Sequence, residues 1–347
     1  MPGPRSGLAS SLGFGKESVY GTYVPATKFV EFNKADLGRK KNIAQGQGLA
    51  AGRSMMHQGR RVQTTREVDG SVNIDVVNRG LGLLWANLFG GASPTPTLVP
   101  SKASSYTSTF TFGDQTGLSL SMQLGVPPVD KAAAQAFSVA GCKITEAELS
   151  CELNGILTAA LTIDGQEIYD PTDVGAKTLT AASYPTSLRE FVGTDWAMTI
   201  TPSSTGTPVP LQGVRKASVK VSRSQDTERF YVNGGRLKAE PIANGFQAWT
   251  GSLSADYWID AAGTAKSLAS LFAADESFAL TWTFTGNLIE AGVNDSWSLT
   301  LPACYLDDQT PTVDGPGVIS NDYPFTVLTN DAGAVPTLTV VSADSAL

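Results

Sequence analysis

The sequence predicts a mainly β fold: a β-sandwich with a flanking α-helix, duplicated within the chain. Three observations predict it. Short runs alternate apolar and polar residues, the period-two signature of a half-buried strand. Gly (35) and Pro (19) are plentiful among the 347 residues, and Ser and Thr are common, which suits short strands joined by turns. Two apolar segments at helical spacing each follow a similar strand.

Taken in order, residues 1–27 are rich in Gly, Ser and Pro and read as an extended arm. Residues 28–33 (KFVEFN) alternate and read as a strand. Residues 38–66 read as a long polar loop. It holds seven basic residues, Arg39, Lys40, Lys41, Arg53, Arg60, Arg61 and Arg66, and no acidic one. A loop of that length inside a compact domain is usually functional. Seven cations with no acid among them suit contact with an acidic surface, since complementary charge sets register across an interface.

Residues 70–78 (GSVNIDVVN) alternate again, with Val72, Ile74 and Val76 on one face. Leu81, Leu84, Trp85 and Leu88 then recur at spacings of three and four, an amphipathic helix over residues 80–89. Strands are expected at residues 107–112, 118–124, 141–153 and 156–163, the last two joined by the turn pair Asn154–Gly155. Residues 164–210 read as a connection with one strand at 195–200. The second half offers strands at 216–222, 250–259, 278–284, 296–301 and 323–328. Its helix is expected over residues 262–272, with Ala265, Leu268, Ala269 and Phe272 on the core side.

The halves resemble each other. Gly70-Ser71-Val72-Asn73-Ile74-Asp75 reappears as Gly251-Ser252-Leu253-Ser254-Ala255-Asp256, and the helices end alike at Leu88-Phe89 and Leu271-Phe272. The strand at 28–33 is matched to that at 216–222, and Gly141-Cys142 loosely to Ala303-Cys304. The expected organisation is an arm (1–27), a first β domain (28–165), a connection (166–210), a second β domain (211–330) and a tail (331–347). At roughly 100–200 residues per domain, the length suits two.

Composition narrows the function classes. The net charge of −7 and pI near 4.9 disfavour a protein that grips nucleic acid, since such domains are usually basic. Three cysteines make no disulfide framework and fit folding in a reducing cytoplasm. No apolar run reaches the roughly 18–20 residues of a membrane span, and the N-terminus lacks a signal-peptide core.

Catalytic and metal chemistry is missing from the pattern. The one histidine, His57, lies in the polar stretch, far from any nucleophile signature. Cys142 and Cys151 are too far apart for a zinc knuckle. The run Gly13-Phe14-Gly15-Lys16 fails as a phosphate loop, because position 10 is Ser and position 17 is Glu. Asp307–Asp308 lacks the ligand ladder of a calcium site. No catalytic residue, metal or cofactor is expected.

Five segments carry a family resemblance: GFGKESVYGTYVPATKFVEF, REVDGSVNIDVVNRGLGLLWANLFG, GCKITEAELSCELNGILTAALTIDGQ, EPIANGFQAWTGSLSADY and DDQTPTVDGPGVISNDYPFTVL. In this order they resemble the major tail tube proteins of long-tailed, siphovirus-type bacteriophages, those of actinobacteriophages in particular. Residues 54–58 (SMMHQ) have no counterpart in that pattern.

The resemblance implies a barrel-forming tail-tube fold and a structural, non-enzymatic virion protein. Such a protein is assembled in the host cytoplasm and polymerises into stacked rings, a channel for passage of double-stranded DNA. In such a stack Arg39, Lys40, Lys41, Arg53, Arg60, Arg61 and Arg66 are expected to reach from one ring to acidic patches on the next. Rings of three chains with pseudo-sixfold appearance and rings of six chains are both open. Implied partners are further copies of the chain and the tape measure, tail terminator and tail tip proteins, with no membrane. A second reading is a receptor- or carbohydrate-binding sandwich on the virion surface. It would need Trp85, Trp196, Trp249, Trp258, Trp282 or Trp297 exposed for stacking on sugars.

Overall fold

The computed structural model describes residues 7–127, 134–232, 234–257, 267–308, 311, 313 and 315–347. The first half contains β1 (Ser11–Lys16), β2 (Lys28–Val30), β3 (Lys34–Gln45), β4 (Arg61–Asp75), helix α1 (Gly82–Phe89), β5 (Thr97–Leu98), β6 (Tyr106–Thr111), β7 (Leu120–Val126), β8 (Gln135–Glu152), β9 (Thr158–Gly165) and β10 (Glu167–Tyr169). The second half contains β11 (Trp196–Pro202), β12 (Val209–Pro210), β13 (Val214–Ser222), β14 (Gln225–Asp226), β15 (Ile242–Ala243), β16 (Ala248–Asp256), helix α2 (Leu268–Ala273), β17 (Phe278–Glu290), β18 (Val293–Leu306), β19 (Ser320–Leu328) and β20 (Thr337–Ser342). The mainly β reading with large antiparallel sheets is what the structure has.

Eight strands form one continuous antiparallel surface in the order β3-β4-β9-β8-β13-β16-β19-β18. β8 and β18 are long and belong to two layers. Their N-terminal parts pair into the sheets packed behind: β2-β1-β7-β8-β10 in the first half, and β12-β11-β17-β18-β20 in the second. The two pairing orders are the same, strand for strand. β6 and β5 extend the second of these sheets beyond β20.

Repeated glycines have a local cause here. A Cβ on Gly70 would lie 1.7 Å from the Asp36 carbonyl oxygen, and one on Gly251 would lie 2.3 Å from the Phe325 ring and 2.6 Å from the Ser218 carbonyl oxygen. Both glycines sit mid-sheet where a neighbour comes too close for any side chain.

One apolar core runs through both halves. Leu81, Leu84, Trp85 and Leu88 of the α1 segment are all buried. Trp85 meets Trp297 of β18 edge-on, with ring centroids 6.3 Å apart, and Trp297 meets Trp282 at 6.0 Å. The first helix therefore packs against strands of the second half.

Several expectations need correction. Residues 11–16 of the supposed arm are β1, with Leu12 and Phe14 fully buried. The supposed tail contains β20, and the supposed connection contains β10 besides the expected strand, now β11, all paired into sheets. The strand at 28–33 breaks after Val30, so the counterpart of β13 by pairing order is β3 instead. The polar loop at 38–66 is mostly a β-hairpin (below). On α2, Leu268 and Ala269 are buried, but Phe272 is 37% exposed. The helix begins at Leu268 behind a Ser267 cap, whose side chain accepts from the Ser270 N–H, and its buried stripe is Leu268, Ala269 and Leu271, which leaves Phe272 at the stripe's edge. Ala265 and Trp258 lie outside the described residues.

Trp85→Ala should cost about 3–5 kcal/mol, the usual loss for a buried aromatic. Denaturant unfolding checks it. A loss under about 1 kcal/mol would contradict a core shared by the two halves.

Candidate functional site: a polar sheet face and a basic hairpin

Adjacent rows across the eight-stranded surface point to opposite sides. One row reads Ala35, Val72, Leu161, Ala147, Val221, Trp249, Val327 and Cys304. All of these are buried except the partly covered Ala35. The next row reads Lys34, Asn73, Ala160, Glu148, Lys220, Thr250, Thr326 and Tyr305, none of them buried. The period of two thus gives the sheet one core face and one wet, polar face.

The polar face is acidic, and Lys40, Lys216 and Lys220 on it are each paired with a carboxylate. Lys216 lies 2.9 Å from Glu152 and Lys220 lies 3.3 Å from Glu146, both across the β8–β13 junction. Lys40 pairs with Asp69. The Glu152 carboxylate holds the Lys216 ammonium above its ordinary range, and Asp69 does the same for Lys40. Asp36, Asp75, Glu148 and Asp322 add negative charge to the same face. Exposed pairs like these stabilise the fold little. What they do is cancel the positive charge that a phosphate backbone would seek.

β3 and β4 run past the body as a ribbon, paired out to Gln45 and Arg61. A 3-10 turn (Gln58–Arg60) follows, capped by His57, whose Nδ1 accepts from the Gly59 N–H at 3.1 Å. The histidine is a turn cap. The seven basic residues divide by height along the ribbon. Near the body, Arg39 binds Asp173 and lies 3.3 Å from Asp170, which hold its guanidinium above the usual range. Arg66 pairs with Glu167, and Lys40 with Asp69. Lys41, directly across the ladder from Arg66, and Arg53, Arg60 and Arg61 higher up are exposed, with no ion pair among the described residues. Leu49, Met55, Met56 and Val62 are exposed beside them.

A second feature was not legible in the sequence. Between β13 and β16, residues 223–247 leave the sheet and lie across the first half as a strap. Lys238 is fully buried there, bound to Asp164 and 3.2 Å from Glu67. Burial raises the Asp164 carboxyl to about 6 despite this partner. Lys143, also fully buried, reaches Glu240 at 2.6 Å and the Pro241 carbonyl oxygen at 3.1 Å. Burial pulls its ammonium below the ordinary range.

The tryptophans offer no sugar platform among the described residues. Trp85, Trp249, Trp282 and Trp297 are buried, and Trp196 packs edge-on to Trp282. Cys142, Cys151 and Cys304 are free and buried, and burial pushes their thiols up, to about 11 for Cys151. Among the described residues no helix is long and apolar enough to cross a membrane.

Removing Lys238 strands two carboxylates in a covered site, and breaking a buried pair costs about 3–5 kcal/mol. Lys238→Ala should lose that much in denaturant unfolding and open residues 225–247 to protease before the rest. A variant as stable and as resistant as the parent would show the strap is not held by this lysine.

A family model described as phage tail tube protein matches residues 7–327. Among curated proteins, none matches the chain.

Proposed function

The chain belongs to the family of phage tail tube proteins, structural components of the virion tail that assemble with copies of themselves and with other tail proteins, and on that premise we propose how it builds the channel. The wall is the eight-stranded surface, with its polar face toward the lumen and its apolar face toward the packed layers. The observation that carries this reading is the pair of neighbouring rows, one wholly polar apart from Ala160, one apolar, running unbroken through both halves.

An open sheet this wide exposes two edges, which invite pairing with another chain. Closing the edges chain to chain makes a barrel and removes them. Strands about 4.8 Å apart set its width. Three chains, with eight strands each, close a barrel about 37 Å across without tilt and about 50 Å at a tilt of 45°. That leaves room for one B-form duplex, roughly 20 Å across, once side chains line the wall. Six such chains would give a bore about twice as wide. The width therefore favours three chains per ring, each contributing two tube units, with threefold symmetry and pseudo-sixfold appearance.

Charge suits passage without capture. Phosphates are repelled by Asp36, Asp75, Glu148 and Asp322, and Lys216 and Lys220 are masked by Glu152 and Glu146. A duplex bound through many lysines would be held by counterion release. Rings stack into a long tube whose ends meet the tail terminator and tip proteins, around the tape measure protein until DNA replaces it. Membership of a structural family points away from catalysis, and we assign the chain no enzymatic role. Contacts between subunits fall to the cations without a carboxylate in their own chain, Lys41, Arg53, Arg60 and Arg61.

Negative-stain images of concentrated protein should show hollow tubes. A chain lacking residues 46–57 should keep its unfolding midpoint and form none, because among the described residues the hydrogen bonds of the ribbon tip stay within the ribbon. Tubes of normal length from that deletion would remove the ribbon from assembly. A parent protein that stays monomeric under all assembly conditions would contradict the tube reading.

A further inference from the structure

The two halves treat one connection in opposite ways. By pairing order, β13 corresponds to β3 and β16 to β4, with Lys34 matching Lys216 and Asn73 matching Ser254. The connection after β13, residues 223–247, then corresponds to residues 41–66, of nearly equal length. The first is folded down onto the neighbouring half as the strap. The second stands away as the ribbon.

What the strap covers has a counterpart too. It lies over Lys143 of β8, and the Gln166 side chain donates to the Lys238 carbonyl oxygen at 2.8 Å. Lys143 faces Asp164 in the ladder, and Tyr305 faces Thr326 in the equivalent ladder, so Tyr305 stands where Lys143 does. Leu328 likewise stands where Gln166 does. The turn beside them matches to the atom: the Glu17 N–H donates to the Ser119 carbonyl oxygen at 3.1 Å, and the Ser203 N–H donates to the Ser277 carbonyl oxygen at 2.9 Å. In the second half no strap covers these positions among the described residues. Ser203, Ser277, Tyr305 and Leu328 instead line an open groove of roughly 590 Å³, with Asp331 at its rim.

We propose that this groove receives the ribbon tip, residues 46–57, of a second copy of the chain, the lateral neighbour in the same ring. The inference rests on the ring assembly proposed above and names the contact that closes it. The strap crosses the β8–β13 junction inside the chain to reach the half beside it. A ring that repeats this junction between chains puts the β3–β4 ribbon of one chain over the β18–β19 end of the next. The chemistry agrees. Leu49 and Met55 are 101% and 85% exposed on the tip, and Leu328 is 52% exposed in the groove. Arg53 has no carboxylate in its own chain, and Asp331 stands at the groove. Thr326 holds the ladder position of the buried Asp164, so the visitor needs no counterpart of Lys238. An apolar tip with a cation at its flank suits it.

Paired cysteines test the contact in the full-length chain. Tubes assembled from Met55→Cys/Leu328→Cys protein are oxidised and run on a denaturing, non-reducing gel, with electron microscopy of the same sample. The three native thiols are buried and stay silent. The expected result is a covalent ladder that stops at the number of chains in one ring. Tubes without cross-links would overturn the proposal and leave the tube reading intact. A ladder running past the ring number would overturn it in another way, by putting the tip on the next ring. If the double variant does not assemble, charge exchange decides. Arg53→Glu should reduce tube yield at low salt at least tenfold, and adding Asp331→Arg should restore it. Failure of the rescue overturns the pairing.

Discussion

The junction of β8 with β13 is the interaction on which the rest of the structure depends. Seven residue pairs, from Lys216–Glu152 to Ser222–Glu146, zip the two halves edge to edge. Without them there would be two four-stranded sheets, each with two open edges. With them there is one eight-stranded surface whose apolar side is a single core. The ladder hydrogen bonds give the junction its register, and Ala147, Leu149 and Cys151 against Ala217, Val219 and Val221 give it its apolar contact. The lysine–glutamate pairs on the wet side specify register more than they stabilise it.

The strap is the junction's second layer. It reaches from the second half onto the first and buries Lys238 against Asp164 and Glu67, and Lys143 against Glu240. Buried ion pairs of this kind are poor sources of stability compared with apolar packing. Their use here is positional: the strap fits in one place only. The pairing order leaves the corresponding place in the second half open, beside a ribbon with exposed apolar residues and spare cations. A protein that must remain monomeric until it assembles gains from this arrangement, because its sticky segment and that segment's site lie on opposite ends of the sheet.

Much of this was legible in the sequence, for stated reasons. Strands with one face in the core alternate visibly, as in residues 70–76 and 216–222, and the α1 stripe of Leu81, Leu84, Trp85 and Leu88 showed its burial directly. The repeated Gly-Ser pair marked equivalent mid-sheet positions before the close contacts at Gly70 and Gly251 supplied the cause. The ribbon was not legible. Both its faces meet water, so no apolar alternation betrays a strand, and its glycines and cations read as loop. The strap escaped for the opposite reason. Its anchoring residues, Lys238 and Glu240, look solvated in sequence, and only the fold brings Asp164 and Lys143 to them. Phe272 misled because the buried stripe of α2 runs through Leu268, Ala269 and Leu271, and Leu271 rather than Phe272 takes the core side.

The central claim is that the seam between chains repeats the seam within the chain. Image reconstruction of tube cross-sections measures it most directly. The account predicts rings of three chains, with β3 of each hydrogen-bonded beyond the β18–β19 end of the next and the row from Lys34 to Thr250 facing the bore. Rings of six chains, each giving only one four-stranded half to the wall, would contradict it.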